Sequence, residues 1–476
     1  MPAGTDRQPA AVTRRHALLT FSLISALFII GLDAGVVNVI LPELQTVFNT
    51  TVSRAMLLAT VYLTAMAAFQ LVFGRLADLF NPLSIFLAGV ACFFAGSLGC
   101  VLSQSIDQIV VGRAIQGLGA AMLSASFGAI VLRLMPREKT GRIIGLMTMV
   151  MSLGSIIGPP LGGFLAEHLS WHWVFAINLP ICVVAAIPLI IILRSQQADA
   201  ESRPAITLAR LDPAGALLSV LLFASLPLCF SQAARDGWSS GPVPILLAIF
   251  VVSATLFILQ EQRARCPLLR LTVISDRRVQ QVVLIKALTF IAINGVMLVF
   301  PFFLVKRLGL PVSGAGVMML ACAVSMALLT PLSGRLTDRI GSKRVLLVGG
   351  LVLLATSILS VLAGPLFGRA LTFLSLAAFG AAFAWLTIAG TVQLLKLAPP
   401  GEEGVFSGLN SLLMPVAGSL GLAIFSYLYA AGTTPAQNPA DASLVGFRAS
   451  MAGLVVFAGF LLVLIQLSFT DKKPLP

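Results

Sequence analysis

Short polar stretches cut this chain into about fourteen long apolar runs, at roughly 17–41, 53–73, 83–103, 107–132, 143–166, 173–193, 213–232, 244–260, 281–304, 313–332, 344–363, 370–395, 405–429 and 447–468. A helix needs about 20 consecutive apolar residues to cross the hydrocarbon of a bilayer. In lipid the backbone must satisfy its own hydrogen bonds, which leaves only helices and closed barrels. Runs of this length specify helices, so an all-α polytopic membrane protein with 14 transmembrane helices is expected. The composition agrees: 58% of residues are hydrophobic and 10% charged, where soluble proteins carry about 25% charged residues. A water-soluble surface is excluded.

The net charge is +13. It does not point to nucleic acid, because the basic residues sit in short loops between apolar runs, where a positive excess marks the cytoplasmic side. With both termini on one side, that side holds 23 of the 31 Lys and Arg residues and the other holds six, while Arg113 and Lys286 fall inside spans. Both termini are therefore expected in the cytoplasm, and the number of spans is even. The six cysteines mostly lie within apolar runs and form no CxxC or metal-like cluster; they read as small hydrophobes. The first run follows Arg14 and Arg15 like a signal peptide, but it extends to Leu41 without a small-residue cleavage site and reads as a retained span.

The chain repeats itself. Gly74-Arg-Leu-Ala-Asp78 follows the second run, and Gly334-Arg-Leu-Thr-Asp338 follows the tenth, with Arg339, Gly341, Lys343 and Arg344 behind it. The offset is 260 residues. Spans 1–6 and 9–14 thus read as two copies of a six-helix unit, with spans 7 and 8 inserted: residues 1–200, 201–270 and 271–476. Transporters built from repeats place the substrate site between them, near the bilayer midplane. Each loop is expected to turn tightly and to set its Asp against a helix N-terminus or an Arg of a neighbouring helix, a contact able to latch one face of the bundle.

Two features lie within the spans. Gly154, Gly158 and Gly162 are four apart and share one helix face, which admits another helix closely; Gly163 adjoins them, and Pro159 and Pro160 remove backbone donors and are expected to bend the fifth span. Asp33 is the one acid deep within a span, and an intramembrane acid is a functional-site hypothesis whose partner should be named. Counting from the run ends puts Asp33 about 12 Å and Arg113 about 9 Å below the outer face, so the two should meet. Arg113, Gln116, Gly117, Ala120 and Ser124 share a polar, small-residue stripe of span 4. Lys286, in span 9, is expected to snorkel to the cytoplasmic face. Asn38, Tyr62, Gln70, Gln116, Asn294 and Asn410, with Lys286 if it faces inward, are candidates to line a substrate cavity.

The paired loops resemble the hallmark loop of the major facilitator superfamily. The second copy matches well; the first departs after Asp78, reading Leu79-Phe80-Asn81-Pro82, where Asn81 is expected to replace a glycine in a left-handed turn. Leu32-Asp-Ala-Gly-Val-Val-Asn-Val-Ile-Leu-Pro42 looks like the first-span signature of the fourteen-span drug:proton antiporter branch. Gly112-Arg-Ala-Ile-Gln-Gly-Leu-Gly-Ala-Ala121 looks like its fourth-span proton-relay motif, Gly154–Gly163 like its fifth-span antiporter motif, and Trp171–Pro180 like its sixth-span entry. Tyr62 matches a second-span tyrosine, with Leu57 where tryptophan is usual. The resemblance implies the major-facilitator fold, two six-helix bundles plus two inserted helices.

The functional expectation is a proton-coupled antiporter that exports lipophilic, cationic drugs or toxic compounds across the cytoplasmic membrane, a bacterial inner membrane. Asp33 would carry the proton beside Arg113, and the glycine face of span 5 would be a close-packed joint between the halves. No cofactor beyond the coupling proton is expected; the partners are a small lipophilic substrate, protons and the lipid bilayer, and the chain is expected to act as a monomer. No catalytic constellation, nucleotide-binding loop or metal cluster argues for an enzyme. An exporter of one endogenous metabolite or lipid, or a non-transporting membrane sensor, are the alternatives.

Overall fold

The computed structural model describes residues 7–134, 137–197, 212–264, 268, 276–363, 368–399, 403–433 and 439–468. Among them, fourteen helices are long and apolar enough to cross a membrane. They are α1 (Ala17–Val47), α2 (Val52–Leu79), α3 (Pro82–Val101), α4 (Ile106–Val131), α5 (Met149–His168), α6 (His172–Arg194), α7 (Pro213–Asp236), α8 (Pro242–Arg263), α9 (Arg277–Arg307), α10 (Val312–Ile340), α11 (Ser342–Leu362), α12 (Arg369–Lys396), α13 (Gly408–Thr433) and α14 (Asp441–Ser468). Their ends fall within a few residues of the apolar runs. The largest difference is at α10, which runs on past Leu332 to Ile340; α1 runs on past Leu41 to Val47 with Pro42 inside it.

Local signals start the helices. Thr51 accepts a hydrogen bond from the Arg54 amide and caps α2, and Asp276 accepts one from the Arg278 amide and caps α9, each pairing an otherwise orphaned amide of the first turn. Asp212, in left-handed backbone, accepts from the Gly215 amide, and Pro213 then opens α7.

Packing follows the repeat. α1 lies along α5, and α9 along α13; α2 and α3 pack on α4, and α10 and α11 on α12. The halves meet through α5 against α10 and α2 against α13. α7 and α8 form a hairpin whose first helix seats against α2 and α13. α8 is the most lipid-facing span, with 17% of its apolar window buried; Val251, Val252 and Leu256 point outward as a bilayer allows.

Glycine sets the closest approaches. A Cβ on Gly158 would stand 2.8 Å from the Leu32 carbonyl and 3.0 Å from the Gly35 Cα of α1. On the second half, a Cβ on Gly418 would stand 3.0 Å from Asn294 of α9. Gly158 and Gly418 differ by 260 in number, the same offset as the two loops. The α1–α5 seam is therefore rebuilt as α9–α13.

One local expectation, at Asn81, is corrected. The helix carrying Pro159 and Pro160 is unbroken from Arg137 to His168. The prolines withhold donors from the Ser155 and Ile156 carbonyls, and the Ser155 carbonyl instead faces Gly35 of α1. Asn81 is not left-handed: its φ is −70° and its ψ 113°, and its side chain accepts from the Leu83 amide at 3.1 Å to cap α3. The first loop is closed by an Asn cap followed by Pro82, whereas the second is closed by Gly341 at φ 88°. Only the second needs a residue free of Cβ.

Candidate functional site

Asp33 and Arg113 meet inside the first bundle. Arg113 Nη1 donates to Asp33 Oδ2 at 2.5 Å, and each residue is 1% exposed. α1 extends beyond the apolar run, so Asp33 lies about fourteen residues, or about 21 Å, from the end of its helix, while Arg113 is about seven residues into α4. The helix ends are staggered; counting inward from them misjudges depth, but the long guanidinium arm still reaches.

The guanidinium is held by further contacts. Its Nε donates to the Leu58 carbonyl at 3.2 Å, its Nη1 also donates to Gln116 Oε1 at 2.9 Å, and its Cζ lies 4.2 Å from the centroid of the Tyr62 ring. Gln116 Nε2 donates to Ser97 Oγ at 2.7 Å, and Ser97 Oγ donates to the Phe93 carbonyl. On the other carboxylate oxygen, Asn178 Nδ2 donates to Asp33 Oδ1 at 3.2 Å. The pair is thus held from α1, α2, α3, α4 and α6. Two buried polar atoms, Tyr62 Oη and Asn178 Oδ1, have no hydrogen-bond partner among the described residues.

Asn178 and Ser97 were not singled out from sequence. Asn178 had a signal: it falls inside Trp171–Pro180, two residues before Pro180. That proline lacks an N–H, and the sixth span breaks into His172–Ala176 and Asn178–Gln197, so Asn178 opens the second piece and turns inward. Ser97 had only its polarity within an apolar run.

The other candidates divide. Gln70 accepts from Ser124 Oγ at 2.8 Å, which makes it an α2–α4 tie. Asn38 is half-buried, about nine residues from the Val47 end of α1. Asn294 donates to the Phe290 carbonyl of its own helix at 2.9 Å. Asn410 accepts from Thr391 Oγ1 at 3.5 Å. Lys286 does not snorkel. It is 1% exposed, and its Nζ donates to Thr391 Oγ1 at 2.5 Å. Gly390 of α12 leaves room for its stem, since a Cβ there would stand 3.0 Å from Lys286 Cγ.

In the glycine stretch of α5, Gly154, Gly158 and Gly162 face the α1 backbone, while Gly163 faces the Val312 carbonyl and Ser313 Cα of α10. Gly316 of α10 abuts the Pro159 carbonyl in return. One short segment therefore serves two seams, one within the first half and one between the halves. Nearby, Glu167 accepts from the Ser313 amide at 3.0 Å, and Lys306 Nζ donates to Thr46 Oγ1 at 2.8 Å. Both bonds join the two halves on the side of the bundle where α1 ends at Val47. They escaped the sequence reading because each joins residues more than a hundred positions apart with no shared pattern.

The two loops differ. Gly74 is half-buried, and Asp78 pairs with Arg133 at 3.5 Å, both side chains about half exposed. Arg133 also donates to the Asp78 and Ala77 carbonyls, at 3.1 and 3.4 Å, which caps the end of α2. Gly334 is half-buried too, and Asp338 and Arg339 are exposed; Asp338 has no ion pair among the described residues. No cluster of metal-ligating residues occurs among the described residues.

A family profile described as the Major Facilitator Superfamily matches residues 23–422 and, in a second match, 282–476. The chain is 30% identical over 414 residues to the Multidrug resistance protein Stp of Mycobacterium tuberculosis (strain CDC 1551 / Oshkosh), covering 87% of this chain and 76% of that one. It is 29% identical over 436 residues to the Tetracenomycin C resistance and export protein of Streptomyces glaucescens, covering 90% and 79%. It is 27% identical over 340 residues to the Multidrug transporter protein MdtP of Bacillus subtilis (strain 168), covering 71% and 61%. Among solved structures, a peptide transporter POT in complex with sulfate superposes with a TM-score of 0.69 at 15% identity, covering 94% of each chain. A bacterial homolog to the human lysosomal transporter Spinster, inward-facing and unoccupied, superposes at 0.65 and 17%, covering 98% of each. Those likenesses show the fold. The profile match over most of the length, with relatives named for drug resistance and export, makes this a multi-pass membrane transport protein and not an enzyme: the chain belongs to the major facilitator superfamily.

Proposed function

We propose that the chain is a proton-coupled antiporter that exports small lipophilic compounds from the cytoplasm, with Asp33 as the proton carrier. The observation that carries this reading is the buried Asp33–Arg113 pair, held by Asn178 and Gln116. A carboxylate in lipid-depth surroundings is expensive unless paired, and a paired one changes charge when its partner moves. Uptake of a proton from outside would release Arg113; return of Arg113 would expel the proton inward.

The glycine seams of α5 would keep that cycle tight. One fixes α1 beside the pair, and the other must part and close as the halves rock. The expectation of cationic cargo counted Asp33 as the one acid deep within a span. Arg113 already neutralises it, so the reading is confined to lipophilic compounds and leaves their charge to another part of the site. The distribution of Lys and Arg supports both termini in the cytoplasm, and the bacterial relatives support a bacterial inner membrane.

The test is transport in proteoliposomes with an imposed pH gradient, using ethidium, Hoechst 33342 and anthracene-9-carboxylate as probes. Wild type should accumulate at least one probe on the acidic side. Asp33→Asn should abolish gradient-driven accumulation yet keep probe exchange without a gradient. Gradient-driven accumulation by Asp33→Asn at the wild-type rate would remove Asp33 from the coupling role.

A further inference from the structure

The second bundle holds a buried charge that the proton cycle above does not use. Lys286 of α9 is 1% exposed, and among the described residues no carboxylate lies within ion-pair distance of it. An ammonium has three donors and no acceptor. One donor goes to Thr391 Oγ1. That hydroxyl also donates to the Thr387 carbonyl at 2.9 Å and reaches Asn410 Oδ1 at 3.5 Å. Thr387 Oγ1 is itself buried without a partner among the described residues. Phe290, one turn on from Lys286, holds its ring centroid 5.6 Å from the Nζ.

The cluster joins α9, α12 and α13. Lys286 is about nine residues, or about 14 Å, from the α9 end at Arg277; Thr391 is about five residues, or about 8 Å, from the α12 end at Lys396. Both ends are the basic ones, which face the cytoplasm on the Lys and Arg count. Thr391 and Asn410 are only half-buried, so the cluster is open on their side. It therefore lies where an exporter would first meet its cargo. A buried ammonium without a counter-charge is destabilising, and a ligand that brings the missing charge recovers that deficit on binding. A planar carboxylate suits the arrangement: it can accept from the two remaining Lys286 protons and from the Asn410 amide, while its apolar body rests against Phe290.

We propose that Lys286, Thr391 and Asn410 form a subsite for the carboxylate of a lipophilic organic acid, so that amphiphilic acids are the charge class this chain exports. This rests on the reading of the chain as an exporter and adds the charge of its cargo.

The experiment is fluorescence titration of the full chain in lipid nanodiscs with three probes sharing one ring system: anthracene-9-carboxylate, 9-anthracenemethanol and (9-anthracenylmethyl)trimethylammonium. Wild type should bind the carboxylate about tenfold or more tighter than the trimethylammonium probe. Lys286→Gln should lower the carboxylate-to-alcohol affinity ratio about tenfold, and Lys286→Arg should restore most of it. If Lys286→Gln does not fold, Thr391→Val carries the test, with a drop in the ratio of about threefold. An unchanged ratio in the folded variant, or no carboxylate binding by wild type, overturns the proposal. The two readings fail separately. Accumulation of a dye down the pH gradient without Lys286-dependent carboxylate binding leaves export standing and removes the subsite. Lys286-dependent binding without any gradient-driven accumulation does the reverse.

Discussion

Asn178 Nδ2 donates to Asp33 Oδ1 at 3.2 Å while Arg113 Nη1 donates to Asp33 Oδ2 at 2.5 Å. The carboxylate of α1 is thereby gripped from α6 on one oxygen and from α4 on the other. The two contacts differ in kind. Arg113 supplies charge; Asn178 supplies orientation, and it can turn its amide to donate from Nδ2 or accept at the unpartnered Oδ1. A carboxyl that gains a proton would find an acceptor there once that amide has turned over.

Asn178→Val removes both options and keeps a similar bulk. Gradient-driven exchange is expected to fall about tenfold, in line with losing one hydrogen bond to a charged group. Probe exchange without a gradient should fall less, because Arg113 still neutralises Asp33. The comparison needs only the two flux measurements on the same vesicles; equal losses in both would make Asn178 a purely structural residue.

On the side where α1 ends at Val47, the face proposed to be the outer one, the halves are joined by Gly163 against Val312, Glu167 to the Ser313 amide and Lys306 to Thr46. Gly163→Leu would drive a side chain into the Val312 backbone and disfavour this closed outer face. A cysteine at Asn38, half-buried about nine residues in from the Val47 end of α1, is the reporter. In intact cells, Asn38→Cys should react with a membrane-impermeant maleimide several times faster when Gly163→Leu is present. Equal rates would mean that the outer face does not depend on this seam.

Asp78 and Arg133 give a contrasting case. Their side chains are 60% and 45% exposed and 3.5 Å apart, so their mutual attraction is screened by water. A double-mutant cycle of Asp78→Asn and Arg133→Gln should yield a coupling of about 1 kcal/mol or less in thermal stability. Arg133→Gln alone should cost more than the coupling, because it also uncaps the Ala77 and Asp78 carbonyls. A coupling well above that range would point to a buried latch instead of an exposed pair.

The fourteen spans were legible because a bilayer imposes one length and one polarity on every helix, whatever its neighbours. The Asp33–Arg113 pairing was legible because two opposite charges in apolar surroundings have few other options. Lys286 was misjudged for a related reason. Snorkelling is the cheapest course for a lysine near a span end, but Gly390 on α12 and the Thr391 hydroxyl offer a seat that nothing near Lys286 in the chain announces. Asn81 misled in the same way: its dipeptide with Pro82 suits a helix cap as well as a turn, and the following helix decided between them. Contacts between distant positions, such as Glu167 with Ser313, carry no local pattern at all.

Gly158 is the position where packing and the proton pair can be separated by experiment. A Cβ there would lie 2.8 Å from the Leu32 carbonyl, 3.0 Å from the Gly35 Cα and 3.0 Å from the Val36 amide nitrogen. All three are backbone atoms, which cannot rotate aside, and Leu32 adjoins Asp33. Gly158→Ala should already cost about 1–3 kcal/mol by overpacking. Gly158→Leu should prise α1 from α5 and abolish export. Asp33 should still take up protons, since its contacts to Arg113 and Asn178 come from α4 and α6 and not from α5. Probe flux and infrared titration of the carboxyl, measured on the same Gly158→Leu sample, check both halves of this expectation. Export retained in that variant would return the glycine face to ordinary helix packing.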